Sequence, residues 1–145
     1  KWNRDTIATT SDAFAYSSTM ALHIFRLKDN RLSKMIAAHE RPITSICWCP
    51  EDSNLVAACS VSKKVAIWDI ENEEERFVTK VVDVPKLMDW AASSNHIAMY
   101  LETGQILLWE YKEGTDKQTK LFSVGEKGGR VLRWHPRQGK LLVGT

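Results

Sequence analysis

Five of the six tryptophans of this chain fall into two evenly spaced series. Trp48, Trp90 and Trp134 stand 42 and 44 residues apart, and Phe25, Trp68 and Trp109 stand 43 and 41 apart. The second series trails the first by 20 residues at Trp68 and by 19 at Trp109. Two interleaved series with one offset mark an internal repeat. A position recurs because each unit packs against its neighbours in the same way.

The segments between the tryptophans read as short strands. Ile43 to Trp48 is apolar and β-branched and ends at Cys49-Pro50. Leu55 to Ser60, Val65 to Ile70 and Arg76 to Val82 follow, with a turn at Val61 to Lys64. The next unit repeats the order as Lys86 to Trp90, His96 to Leu101, Ile106 to Tyr111 and Thr119 to Val124. Ahead of these lie Asp5 to Thr9, Ala13 to Ser18, Ala21 to Leu27 and Lys34 to Ala38, and after them Arg130 to Trp134 and Lys140 to Thr145. No segment sustains a 3.6-residue apolar period over a helix length. Strands such as Val65 to Ile70 are apolar on both faces, as expected of a sheet packed between two others rather than half exposed. The expectation is an all-β chain of four-stranded units, since a period of ~40–45 residues is that of a propeller blade. The units run approximately over 1–38, 39–83, 84–124 and an incomplete 125–145. About 3.5 repeats fit into 145 residues, whereas propellers close with roughly 4–8 blades. The expectation is therefore a partial ring, completed by further blades and prone to aggregate or dimerise if isolated, because uncovered blade faces expose contiguous apolar surface.

Residues 38–69 carry a resemblance to the WD-repeat family. Ala38-His39 stands where that family has Gly-His, Ser45 to Pro50 matches its first strand and turn, Ser60 closes the second strand, and Trp68-Asp69 is the dipeptide that names it. The resemblance implies a propeller, usually seven-bladed, that binds protein partners without catalysing a reaction. It further implies a buried hydrogen-bonded set within each blade, to which His39, Ser60 and Trp68 would belong, with Ser62 replacing the usual Asp. In the next unit Val81 and Thr103 hold the His and Asp places, so the set is absent there. A narrower likeness is to the N-terminal part of large WD-repeat scaffolds in which propellers precede helical repeats. It rests on Trp2 to Asp5, Phe14 to Tyr16, Ser45 to Pro50 and Arg133 to His135. A ciliary role follows only by analogy with transport proteins of that plan.

Charge and motifs narrow the function. A net charge of +2 supplies no field to draw the chain to nucleic acid or an anionic membrane, and no apolar run approaches the ~20 residues of a membrane helix. No nucleophile elbow, zinc-protease helix or phosphate-binding glycine loop is present. Gly125, Gly128 and Gly129 read as a connector between units. His39 with Cys47, Cys49 and Cys59 fits no zinc spacing. The three cysteines read as packing residues in a reducing, intracellular (cytoplasmic) setting. No cofactor is expected. Glu71, Glu73, Glu74 and Glu75 read as a solvated acidic turn. The candidate partner-binding face gathers Arg41, Lys63, Lys64, Lys127 and Arg130 on the loops of the His39 side, diluted by Glu40, Glu102 and Glu126.

Overall fold

The computed structural model describes residues 6–125 and 128–145. Among these residues are fourteen strands and three complete four-stranded antiparallel sheets, each in simple sequence order. The first sheet holds β1 (Ile7–Thr9), β2 (Ala13–Ser18), β3 (Ala21–Arg26) and β4 (Arg31–Ala37). The second holds β5 (Ile43–Trp48), β6 (Leu55–Ser60), β7 (Lys64–Asp69) and β8 (Glu74–Lys80). The third holds β9 (Pro85–Trp90), β10 (His96–Leu101), β11 (Gln105–Lys112) and β12 (Thr115–Ser123). β13 (Val131–Trp134) and β14 (Leu141–Gly144) pair as a two-stranded sheet. These are the blades anticipated from the spacing. The first tryptophan series ends the inner strands β5, β9 and β13, and the second, with Phe25, lies on the third strands β3, β7 and β11. The Asp5 end of the first expected strand lies outside the described residues.

The blades stack face to face, which explains strands apolar on both sides. Every residue of β5 is buried, and all but the first of β6 and β7. Along β6, Val56 and Ala58 pack with Leu22, Ile24 and Trp68 between the first two blades. Alternate residues Ala57 and Cys59 pack with Met99, Trp109 and Trp90 between the second and third. A smaller cluster of Leu87, Tyr100, Ile106 and Leu132 joins the third blade to β13–β14. Alternation with period two thus feeds two cores at once. The inner strands β1, β5, β9 and β13 are neighbours, and residues of all four line one recess of about 280 Å3.

The outer strands depart from expectation. β4, β8 and β12 each begin earlier than the sequence suggested, and most of their residues are exposed. An edge strand facing water carries little apolar signal, so its start is hidden among charged residues. The supposed acidic turn is accordingly part strand. Glu74 and Glu75 belong to β8, opposite Asp69 and Trp68, and only Glu71 and Glu73 remain in the turn.

Candidate functional site

The loops of the His39 side are built from one repeated backbone pattern. The 38–42 connection is pinned to the β2–β3 turn of the first blade: His39 N–H donates to Met20 O at 3.1 Å and Ile43 N–H to Thr19 O at 2.6 Å. Val61 N–H in the β6–β7 turn donates to Pro42 O at 3.0 Å. The next connection repeats the arrangement through Val81 N–H to Lys63 O and Glu102 N–H to Val84 O. Consecutive blades are therefore tied at the same face, and their turns form one surface.

The turns of this face need a left-handed residue. The third blade supplies Gly104 at φ 86, the usual solution, whereas the matching position of the second blade is Lys63 at φ 67, and the shorter turn of the first blade carries Thr19 at φ 55. A side chain there costs conformational energy that glycine avoids. Lys63 extends its amine to Val82 O in the next connection, at 3.2 Å. Val82 is 68% exposed and Met20 42%, which adds two apolar spots the charge pattern did not reveal. Lys86 pairs with Glu102 at 3.3 Å. The Asp83 carboxylate is held below its ordinary pKa, first by the Val84 N–H donated to it at 2.8 Å.

Of the five expected basic residues, the fold brings Arg41 and Lys63 to adjoining loops through the Pro42–Val61 bond. Lys64 does not join them. It starts β7 and forms an ion pair with Glu75 along the sheet. Arg130 is exposed but lies two connections further round, where its N–H donates to Gly144 O. Beside it, a side chain at Gly129 would run into the Tyr100 ring, so the chain there passes directly over the third blade. Lys127 lies outside the described residues. The candidate face is thus a local Arg41–Lys63 pair flanked by Met20 and Val82, not a five-residue basic patch.

The polar set of the second blade is also arranged differently from expectation. His39 and Ser60 are buried, yet His39 Nε2–H donates to the backbone O of Ala58, at 3.1 Å. Ser60 Oγ bonds Ser62 Oγ at 2.7 Å, and Trp68 Nε1 and His39 Nδ1 have no hydrogen-bond partner. The reason is register. Trp68 faces Val56 across the β6–β7 ladder, and Ser60 lies four residues further along β6. At ~3.3 Å per residue that is beyond hydrogen-bond reach. Ala58, midway between them, takes part through its backbone alone, and an alanine gives no sequence signal of such a role. Burial, partly offset by the Ala58 bond, holds the imidazole below its usual pKa, so the neutral ring is favoured.

Cys47, Cys49 and Cys59 are buried free thiols. Burial pushes the Cys59 thiol up to about 12, against a bond from Thr44. Such a thiol stays protonated and is a poor nucleophile. Among the described residues no group of three or more His, Cys, Asp or Glu is placed to hold a metal ion. Asp69, the partner of Trp68 in the signature dipeptide, has a structural task. Asn72 N–H, Asn72 Nδ2 and Asn54 Nδ2 donate to its carboxylate at 3.0, 2.9 and 2.8 Å. These bonds hold its pKa at about 2.

Comparison with known proteins agrees with this architecture. A chain in a solved structure titled Crystal Structure of Mitotic Checkpoint Complex superposes over 97% of this chain with a TM-score of 0.77 at 17% identity, and 45% of that chain is covered. The Denticleless protein homolog of Gallus gallus is 32% identical over 77 residues, 51% of this chain and 10% of its own length. The RbAp48-related WD40 repeat-containing protein prw1 of Schizosaccharomyces pombe is 29% identical over 53% of this chain and 17% of its own length. The GATOR2 complex protein MIOS of Dictyostelium discoideum is 22% identical over 71% of this chain and 10% of its own length. This chain spans less than a fifth of each of these three relatives. The family described as Anaphase-promoting complex subunit 4 WD40 domain matches residues 8–93, more than half of the chain, and the protein belongs to that WD40-repeat family.

Proposed function

We propose that the protein is a non-catalytic scaffold that docks protein partners within a multiprotein assembly, using the loop face around Arg41 and Lys63. The observation that carries this reading is the lysine at φ 67 in a turn whose counterpart in the third blade is Gly104. A cation kept where the backbone favours glycine suits a contact better than a purely structural turn. The flanking Met20 and Val82 add apolar area, the usual companion of charge at protein interfaces. Among relatives, the names MIOS of a GATOR2 complex and mitotic checkpoint complex both refer to assemblies. Further blades are proposed to complete the ring, since a solved propeller-like neighbour is about twice as long as the stretch covered here. Three buried free thiols favour a reducing, intracellular setting. The ciliary reading rests on analogy of plan alone and is set aside.

The test is affinity capture with quantitative cross-linking on the full chain carrying Arg41→Glu, Lys63→Glu or Arg130→Glu. Loss of a specific partner with the first two, but not with Arg130→Glu, is the expected result. Lys63→Gly separates contact from stability. It should keep or slightly raise the melting temperature while weakening the same partner. Indifference to Arg41→Glu and Lys63→Glu alike would move the contact elsewhere.

A further inference from the structure

Equivalent places on the opposite face of the ring, where two neighbouring blades meet, differ in one respect. Between the second and third blades the space is closed by Tyr111. Its ring packs 5.3 Å from Trp90, 5.1 Å from Phe77 and 5.9 Å from Trp109, and its hydroxyl accepts the Trp90 Nε1–H at 3.2 Å. The rim above is bridged by Glu51, whose carboxylate accepts from Ser93 N–H and Oγ–H, both at 3.2 Å. Between the first and second blades neither closure exists. Tyr111 stands two residues after Trp109, and the residue two after Trp68 is Ile70. Trp48 Nε1–H turns to Ser53 O instead, at 2.8 Å. The shorter β1–β2 connection, residues 10–12, offers no counterpart of the Glu51 bridge in the bonds described for it. A groove of about 720 Å3 results, lined on the second blade by Trp48, Ser53 and Ile70 and on the first by Ile24, Arg26 and Lys28 among others.

We infer that this groove is a docking site for a linear peptide segment of a partner protein, bearing an aromatic residue flanked by acidic ones. Tyr111 shows what the space between two blades accepts: an aromatic ring set against the tryptophan that ends the inner strand. Here the space is floored by Ile24, Trp48 and Ile70, each less than a tenth exposed, so a bound ring would seat against the edge of the core. The charge of the rim selects the flanks. Arg26 and Lys28 line the first-blade wall, and Asp12 is the one carboxylate that joins them. Among the residues lining the groove two cations thus face one carboxylate, an excess that favours carboxylates at an interface.

The experiment uses the full chain and two fluorescein-labelled peptides, Asp-Asp-Phe-Phe-Asp-Asp and its inverse Lys-Lys-Phe-Phe-Lys-Lys, read by fluorescence anisotropy. The acidic peptide is expected to bind and the basic one to bind at least ~10-fold more weakly. Ile70→Tyr installs the closure of the next interface and should abolish binding of the acidic peptide without changing the surface charge. The double variant Arg26→Glu, Lys28→Glu keeps the groove open and should weaken that peptide ~10-fold or more. Arg41→Glu and Lys63→Glu lie on the other face and should leave it unchanged, so failure here is distinguishable from failure of the loop-face scaffold reading. No binding of the acidic peptide, equal binding of the basic one, or binding that survives Ile70→Tyr in a folded protein would each overturn the assignment.

Discussion

The two complete blade junctions of this molecule solve one problem by different means. Both place a tryptophan of each series in an apolar cluster. The second-to-third junction then adds side-chain contacts at three depths. Thr44 Oγ1–H donates to Pro85 O at 2.6 Å near the axis, the Tyr111 ring fills the middle, and Thr79 bonds Asp116 and Gln118, both at 2.6 Å, at the outside. The first-to-second junction has backbone ties and the amine of Lys34 on Glu71 O at 3.2 Å, and it leaves a groove. Its neighbour is closed, and it is partly open. A repeat protein can divide labour in this way because each junction contributes its own nearest-neighbour stability.

The largest effect that tests this contrast is expected at the tryptophans. Trp109 is 2% exposed and Trp68 9%, and neither indole N–H has a hydrogen-bond partner, so truncating either probes packing alone. Trp109→Ala should cost about 3–5 kcal/mol. Trp68→Ala should cost less, by about 1 kcal/mol, since no tyrosine ring sits against it. Chemical denaturation of the full chain measures both, and equal losses would break the comparison.

How much of this was legible beforehand follows from what each feature leaves in the sequence. The blades were legible because Trp48, Trp90, Trp68 and Trp109 recur with the period of the architecture. The starts of β4, β8 and β12 were not, because exposed edge strands tolerate residues such as Arg31, Glu74 and Thr115 that also suit turns. That the loops carrying Arg41 and Lys63 adjoin was legible from the alternation of turns between faces. The diversion of Lys64 to Glu75 was not, since it depended on where β8 begins. The tie between His39, Ser60 and Trp68 failed on register, a tertiary property that identity at matching motif positions does not encode. Tyr111 was visible only as the end of a strand. Its significance required seeing that Ile70 occupies the same place one blade earlier.

A middle-sized effect converts one junction into the other. Tyr111→Ile should cost about 2 kcal/mol, from lost aromatic contacts and an unpaired Trp90 N–H. It should also open a groove between the second and third blades that admits the same acidic aromatic peptide. A melt together with anisotropy checks both halves. Loss of stability without new binding would show that the rim charges around Arg26, and not the vacant space, make the first groove a site. Thr44→Val comes next. It keeps the shape of a buried side chain and removes the bond to Pro85 O, so about 1 kcal/mol is expected. The corresponding replacement of Ser53, whose backbone O and not its hydroxyl accepts from Trp48, should be close to neutral.

Acid should separate the blades most gently, and two groups of the second blade, beside Asp83 of the next connection, contribute to it. The His39 pKa is lowered by burial, so the unfolded chain takes up that proton first once pH falls below ~6.5, and stability begins to decline there. The Asp69 carboxyl is held at about 2 by its Asn72 and Asn54 bonds. Its contribution is complete above the ordinary carboxylate value of ~4 and is lost as pH falls through that range towards 2. Its counterpart in the third blade, Glu110, instead pairs with the exposed Lys117 at 3.6 Å and lies 3.7 Å from His96 Nε2. Melting temperatures followed from pH 7 down to 3 should therefore fall in two stages. His39→Gln should flatten the first stage, Asp69→Asn should flatten the second, and Glu110→Gln should alter neither appreciably. A profile that responds to Glu110→Gln as strongly as to Asp69→Asn would mean that exposed pairs govern the acid response and that the buried polar groups of the second blade do not.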